Sequence, residues 1–153
     1  MSSRAISDLH PDVQPLVRKA LADCAADGIE VLVTCTFRSA QEQTELYAQG
    51  RTKPGKIVTN APAGKSSHNF RIGQVPAALA IDVVPMRFGK PVWGLSGDGI
   101  DNDPSDDDKD DLELWQSVRA KFEAVGLLSA SRWKGRMVEW PHFEYAKAKE
   151  MMS

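Results

Sequence analysis

The chain has three histidines, and two of them stand where chemistry is possible. His68 lies in the segment SSHNF and His142 in EWPHFEY, each beside an expected strand or turn with acidic residues near it. Zinc in a hydrolase usually takes three protein ligands from His, Asp or Glu and leaves a fourth position open for water. His68, Asp82 and His142 could supply that set. Asp82 sits inside the apolar run ALAIDVV, where a carboxylate is costly unless paired or metal-bound. A metal ligand and a buried acid held by an arginine or by backbone amides are both open readings. Glu139 stands three residues before His142, with Pro141 stiffening the segment between them. A carboxylate so close to bound zinc can take a proton from water, although an ordinary exposed strand residue would look the same. Arg38 follows the strand-like VLVTCTF. A guanidinium there can clamp a carboxylate or carbonyl through its rigid fork, or simply form a surface salt bridge. His10, ahead of Pro11, reads as structural or solvated.

The elements that must position these groups follow from hydrophobic spacing. Val13, Leu16, Val17, Ala20, Leu21 and Cys24 recur at helical period between about Asp12 and Asp27, and Gly28 is placed to end that helix. Ile29 to Cys35 is a β-branched run that predicts a buried strand. Ser39 and Glu42 form an S-x-x-E capping box that starts a second helix, ending near Gly50. Arg51 to Ser67 is rich in Gly, Pro, Lys and Thr and predicts a loop with at most a short strand. Leu79 to Val84 predicts a strand closed by Pro85, and Gly94 to Asp111 an acid-rich loop. Leu112, Trp115, Val118, Phe122 and Val125 lie on one face of a third helix, with Gly126 after it. Met137 to Tyr145 predicts strand, turn and strand. Helices and strands mix without a regular βαβ rhythm. The expected class is therefore α+β, a single domain over residues 1–153 with a small antiparallel sheet and flanking helices.

Composition narrows the function. The chain's 153 residues suit one domain with a real core, and a net charge of −2 with no basic stripe argues against nucleic acid as the main partner. No stretch is long and apolar enough to span a bilayer, and MSSRAISDLHPD has no signal-peptide pattern. Cys24, on the apolar helix face, and Cys35, at a strand end, read as buried free thiols. The absence of a Cys-x-x-Cys pair speaks against a thiolate zinc site.

Several ordered motifs together resemble the VanY-like and VanX-like zinc peptidase superfamily, especially its L-alanyl-D-glutamate endopeptidase branch, which includes many phage endolysins. TCTFRSAQEQTELYAQGRT is similar to the family's arginine-bearing strand end and the Gln-containing helix after it. PGKIVTNAPAGKSSHNF is similar to the approach to the first zinc histidine, ALAIDVVP to the strand of the zinc aspartate, and EWPHFEY to the acid-x-Pro-His segment. The resemblance spans about Leu9 to Tyr145. It implies a hedgehog or DD-peptidase-like fold with His68, Asp82 and His142 as zinc ligands. Glu139 becomes the base that activates water at the metal, and Arg38 the group that binds substrate and stabilises the oxyanion. Ser66 and Gln43 become substrate-binding or supporting residues.

The sequence departs from the family in one place. The family joins its first histidine to the aspartate in a compact H-x-x-G-x-A-x-D run, whereas here RIGQVPAA stands where a single Gly is expected, between Phe70 and Leu79. A loop can absorb the extra residues at small entropic cost, and Gly73 and Pro76 suit one. The insertion suggests a modified substrate groove. The stretch GDGIDNDPSDDDKDD lacks the glycine of an EF-hand loop, so no calcium requirement is expected.

The resemblance thus implies a monomeric zinc peptidase acting on bacterial peptidoglycan stem peptides at the L-Ala–D-Glu bond. It further suggests an endolysin that waits in a host cytoplasm for a membrane pore and then acts on the cell wall. Alternatives are a D-Ala-D-Ala carboxypeptidase or dipeptidase of the same superfamily, or a non-enzymatic zinc-stabilised binding module.

Overall fold

The fold grows from one apolar helix face laid on a sheet. The computed structural model describes residues 2–93, 108–134 and 139–153. Helix α1 (Gln14–Ala26) buries Val17, Ala20 and Cys24, and Gly28 follows it with φ +75°, the left-handed conformation that closes a helix without a Cβ penalty. Strand β1 (Glu30–Cys35) comes next, then α2 (Ala40–Ala48), whose capping box is present: the Ser39 side chain accepts from the Glu42 N–H at 3.1 Å. A short hairpin, β2 (Arg71–Ile72) and β3 (Val75–Pro76), precedes β4 (Ala80–Arg87) and β5 (Lys90–Pro91). Helix α3 (Asp108–Ala124), β6 (Leu127–Ser129), β7 (His142–Tyr145) and α4 (Ala148–Met151) complete the chain.

The main sheet runs β1-β4-β7-β6, with β5 paired to β4, and every pairing is antiparallel. Alternation along β4 and β7 sorts the side chains. Ile81, Val83 and Phe143 join the core with Val118 and Phe122 of α3 and the buried face of α1. Phe122 stacks on Phe143 with centroids 4.5 Å apart. The opposite face of the same strands carries Asp82 and His142, directly paired across the ladder.

Three features differ from the sequence expectations. Strand β4 does not close at Pro85 but continues to Arg87. Pro85 lacks a donor, yet its carbonyl accepts from Val92 N–H at 2.9 Å, so the edge pairing survives. Helix α3 starts at Asp108, inside the stretch expected to be loop, and Asp111 pairs with Arg87. Residues 127–129, too short to show a period, pair with β7. The calcium expectation for the acidic loop, and the first part of the strand expected from Met137, fall outside the described residues.

Both cysteines are free and buried. Burial pushes the Cys24 thiol up to about 11, against a smaller opposing effect of Lys121. A protonated, enclosed thiol is a poor nucleophile. Cys24 is therefore expected to escape iodoacetamide in native protein at neutral pH and to react in urea. Peptide mapping that finds Cys24 labelled at once in native protein would contradict this.

Candidate active site

The site is assembled on the sheet face turned away from α1 and α3. Asp82 Oδ1 lies 3.1 Å from His68 Nε2 and 3.0 Å from His142 Nδ1. The register Asp82↔His142 explains the second contact, because residues directly opposite on antiparallel strands hold their side chains side by side. The first needs the loop before β4. His68 sits in a 3-10 turn, Ser67–Asn69, whose N-cap Ser66 accepts from the His68 N–H at 3.2 Å. Leu79 N–H then donates to Ser67 O at 2.9 Å, tying the turn to the start of β4.

The inserted segment does not disturb this geometry. RIGQVPAA folds into the β2–β3 hairpin, with Gly73 at φ +63° in its two-residue turn. Ala77 N–H donates to Phe70 O at 3.0 Å, so the hairpin closes at its base and returns the chain where a shorter connection would. None of its residues is among those that line the groove described below. The hairpin projects its apolar pair Ile72 and Val75 outward instead.

The two separations from Asp82 suit zinc. His68 Nδ1 lies 2.7 Å from Thr36 O, an acceptor only, so that nitrogen carries a proton and Nε2 faces Asp82. His142 Nε2 lies 2.9 Å from Glu144 Oε1, which places its proton there and turns Nδ1 toward Asp82. Each imidazole thus donates outward and presents its other nitrogen to one carboxylate oxygen. Three acceptors meeting this way require positive charge between them, from added protons or a cation. Ligands at tetrahedral zinc lie about 3.3 Å apart, close to the 3.1 and 3.0 Å separations here. Electrostatics point the same way. Burial works to lower the pKa of His68, but the charge of Asp82 and their hydrogen bond push it up to about 10. Burial likewise opposes His142, whose bonds to Asp82 and Glu144 take it up to about 9. Burial would raise the Asp82 carboxyl, but the two histidines hold it well below the ordinary range.

A second donor group is Cys35, His68 and Asp82, whose ligand atoms lie within 4.8 Å of one another. A register irregularity between Val33 and Cys35 turns Cys35 off the core-facing alternation of Val31 and Val33 and sets it opposite Asp82. Its Sγ, however, sits 3.6 Å from His68 Nδ1, the nitrogen already bonded to Thr36 O. Cys35 is not among the residues lining the groove described below, whereas His68, Asp82 and His142 all are.

Arg38 is held beside this set. Its Nη1 donates to Gln43 Oε1 at 2.9 Å, and its Nη2 lies 3.7 Å from Asp82 Oδ2. The half-buried Asp82 thus has an arginine partner, and the same geometry leaves its other oxygen facing the two histidines. Gln43 is fully buried, and its amide also donates to Ala61 O at 2.7 Å. It holds Arg38 Nη1 from that buried position. Asn69 Nδ2 donates to Arg38 O at 2.8 Å, and Arg38 N–H donates to His68 O at 2.9 Å, so arginine and first histidine share one frame. Arg38 Nε is buried without a hydrogen-bond partner among the described residues.

Glu139 lies across the groove. Its N–H donates to Ala130 O at 3.2 Å, and its carboxyl makes no hydrogen bond among the described residues. Burial raises its pKa, with His142 opposing and Asp82 reinforcing. A groove of about 640 Å³ is lined by Arg38, Ser66, His68, Asp82, Glu139 and His142. Trp133, Lys65 and Lys149 also line it, and Trp133 packs on the His142 ring with centroids 5.3 Å apart. Sequence reading passed over Glu144, Trp133, Asn69 and the site-facing side of Cys35. Only Glu144 carried a usable signal, its two-residue spacing from His142 on a strand.

Two imidazoles and a carboxylate on an open groove, with a carboxyl and an arginine beside them, are the side-chain types that a zinc hydrolase uses. The chain belongs to the VanY D-alanyl-D-alanine carboxypeptidase family, whose model matches residues 6–87. It is 39% identical over 139 residues to the peptidoglycan L-alanyl-D-glutamate endopeptidase CwlK of Bacillus subtilis (strain 168), covering 90% of this chain and 74% of that protein. Its fold is similar to that of the L-Ala D-Glu endopeptidase ChiX of Serratia marcescens, with TM-score 0.58 and 14% identity over 100% of this chain and 93% of that one. It is also similar to a mutant of the vancomycin resistance D,D-pentapeptidase VanY in complex with Zn(II), with TM-score 0.57 and 13% identity over 94% of this chain and 78% of that one. These likenesses agree with the α+β reading and with the resemblance drawn from the sequence.

Proposed function

We propose that this chain is a zinc-dependent peptidoglycan peptidase that hydrolyses the L-Ala–D-Glu bond of stem peptides. The observation that carries the reaction class is the convergence of His68 and His142 on one oxygen of Asp82, beside Glu139 and Arg38. The choice of bond is supported by the likeness to the Bacillus subtilis endopeptidase over most of both chains.

His68 Nε2, Asp82 Oδ1 and His142 Nδ1 would hold the zinc. The bound ion would supply Lewis acidity, lowering the pKa of water and polarising a carbonyl. Glu139, raised by burial and without a hydrogen bond among the described residues, takes the proton of the attacking water and passes it to the leaving amine. Arg38, already fixed by Gln43, aims its donors at the carbonyl oxygen as negative charge develops there. Trp133 walls the His142 side of the groove.

Digestion of purified peptidoglycan, with labelling of new amino termini and mass spectrometry, tests the choice of bond. The expected products are stem peptides beginning with D-Glu, leaving L-Ala on the muramic acid. Free D-Ala without new D-Glu termini would instead make the chain a carboxypeptidase. The proposed setting is a phage endolysin released from a host cytoplasm through a membrane pore. Expression with and without a pore-forming protein tests it, and lysis should require both.

A further inference from the structure

The strand that delivers His142 delivers a second ionisable side chain to the same face. Residues two apart on a strand share a face, so Glu144 follows His142 on the groove side of β7. Its cross-strand neighbour on β4 is Ala80, whose small side chain leaves room for a carboxylate. Glu144 Oε1 lies 2.9 Å from His142 Nε2, and Ser67 Oγ donates to the same oxygen at 3.5 Å. Ser67 precedes His68 in the 3-10 turn, so Glu144 links the two histidine-bearing segments.

An imidazole offers either of two nitrogens to a metal, and the hydrogen bond made by one decides which is left for the other task. For His68 that bond goes to a main-chain carbonyl, Thr36 O, which no side-chain replacement removes. For His142 it goes to Glu144. We propose that Glu144 is a positioning residue for the metal site: it fixes the ring orientation and tautomer of His142 so that Nδ1 is the ligating nitrogen. This rests on the zinc reading above. Without the acceptor, the ring loses the contact that distinguishes its two edges. Nε2 also stands farther from the backbone than Nδ1, so a flipped ring would bring its donor to a different point. Glu144 is poorly suited to act as the base, because its carboxylate already accepts from His142 and Ser67, whereas that of Glu139 makes no such bonds among the described residues.

The test compares wild type, Glu144→Ala and Glu144→Gln. Zinc affinity is read by competition with a chromophoric chelator, and site geometry by the visible spectrum of the cobalt(II)-substituted proteins. Loss of a partner to a metal-bound histidine typically weakens binding by about 10–100-fold. Glu144→Ala should show that loss and a changed cobalt spectrum, with an unchanged far-ultraviolet circular dichroism spectrum. Glu144→Gln, whose amide oxygen still accepts from Nε2–H, should recover most of the affinity and the wild-type spectrum. A Glu144→Ala protein with wild-type affinity and spectrum overturns the proposal, as does a Glu144→Gln protein as weak as the alanine variant. A further measurement needs no variant. Nitrogen-15 spectra of zinc-loaded wild type should show His142 protonated at Nε2 and metal-shifted at Nδ1, and the reverse pattern overturns the assignment. Wild-type protein that binds no zinc would overturn the zinc reading itself, and this proposal with it.

Discussion

Asp82→Ala is expected to yield a folded protein that keeps no zinc through dialysis and has no measurable peptidase activity, while wild type retains a zinc ion per chain. Both imidazoles turn their inward nitrogen to Asp82 Oδ1, at 3.1 and 3.0 Å, so this residue is the centre of the donor set rather than one corner of it. Removing it takes away the only anionic donor of the three. Two buried imidazoles, with the Arg38 guanidinium nearby, would then face a dication without a directly ligating carboxylate. The loss should exceed the 10–100-fold that a missing supporting partner costs. The core behind Asp82 is formed by Ile81, Val83 and Phe143 on the other sheet face, so the fold should persist. His68→Ala and His142→Ala should behave alike. Cys35→Ser is the discriminating control, because it should keep its zinc, whereas a Cys35, His68 and Asp82 site would lose it. Elemental analysis after gel filtration measures all four. Full zinc in Asp82→Ala would remove Asp82 from the ligand set.

Much of this arrangement was legible before any coordinates, and the reasons are physical. The helix over Gln14–Ala26 and the capped helix from Ala40 carry strong local signals, a repeated apolar face and a reciprocal Ser39–Glu42 cap, so their boundaries shifted by only a residue or two. Asp82 was conspicuous because an acid inside ALAIDVV demands a compensating partner. The structure supplies several partners at once, in the two histidines and Arg38. What the sequence could not convey depends on pairing. The strand at Leu127–Ser129 exists only because β7 lies beside it, and three residues hold no readable period. Cys35 points at the site because the ladder slips between Val33 and Cys35, a register event with no local signature. The insertion after Phe70 was visible as extra length, but not its closure into a hairpin that leaves His68 in place. Gln43 was selected by resemblance alone. Its work, holding Arg38 from a fully buried position, becomes visible only once α2 is packed.

Glu139→Gln is expected to retain zinc at the wild-type level and to lose turnover by about 100-fold or more, the range for removing a general base. The substitution keeps shape and hydrogen-bonding reach and removes only the ability to take up a proton. The backbone of Glu139 is pinned by its N–H bond to Ala130 O, and Pro141 limits the path to His142, so the side chain's origin should not move. Two carboxylates flank His142, and their surroundings separate their roles. Glu144 accepts from His142 Nε2 at 2.9 Å, whereas the Glu139 carboxyl makes no hydrogen bond among the described residues. Burial raises Glu139 above an ordinary glutamate, with His142 only partly offsetting it, and a carboxylate of higher pKa is the stronger base. A defect confined to proton transfer should appear in kcat with KM little changed, because substrate still meets Arg38 and the metal site. Loss of a groove contact would instead raise KM and spare kcat. The measurement is steady-state hydrolysis of a soluble stem-peptide substrate by protein of verified zinc content. Near-normal kcat in zinc-loaded Glu139→Gln would sink the assignment and leave Glu144, the other carboxylate beside His142, as the residue to test next.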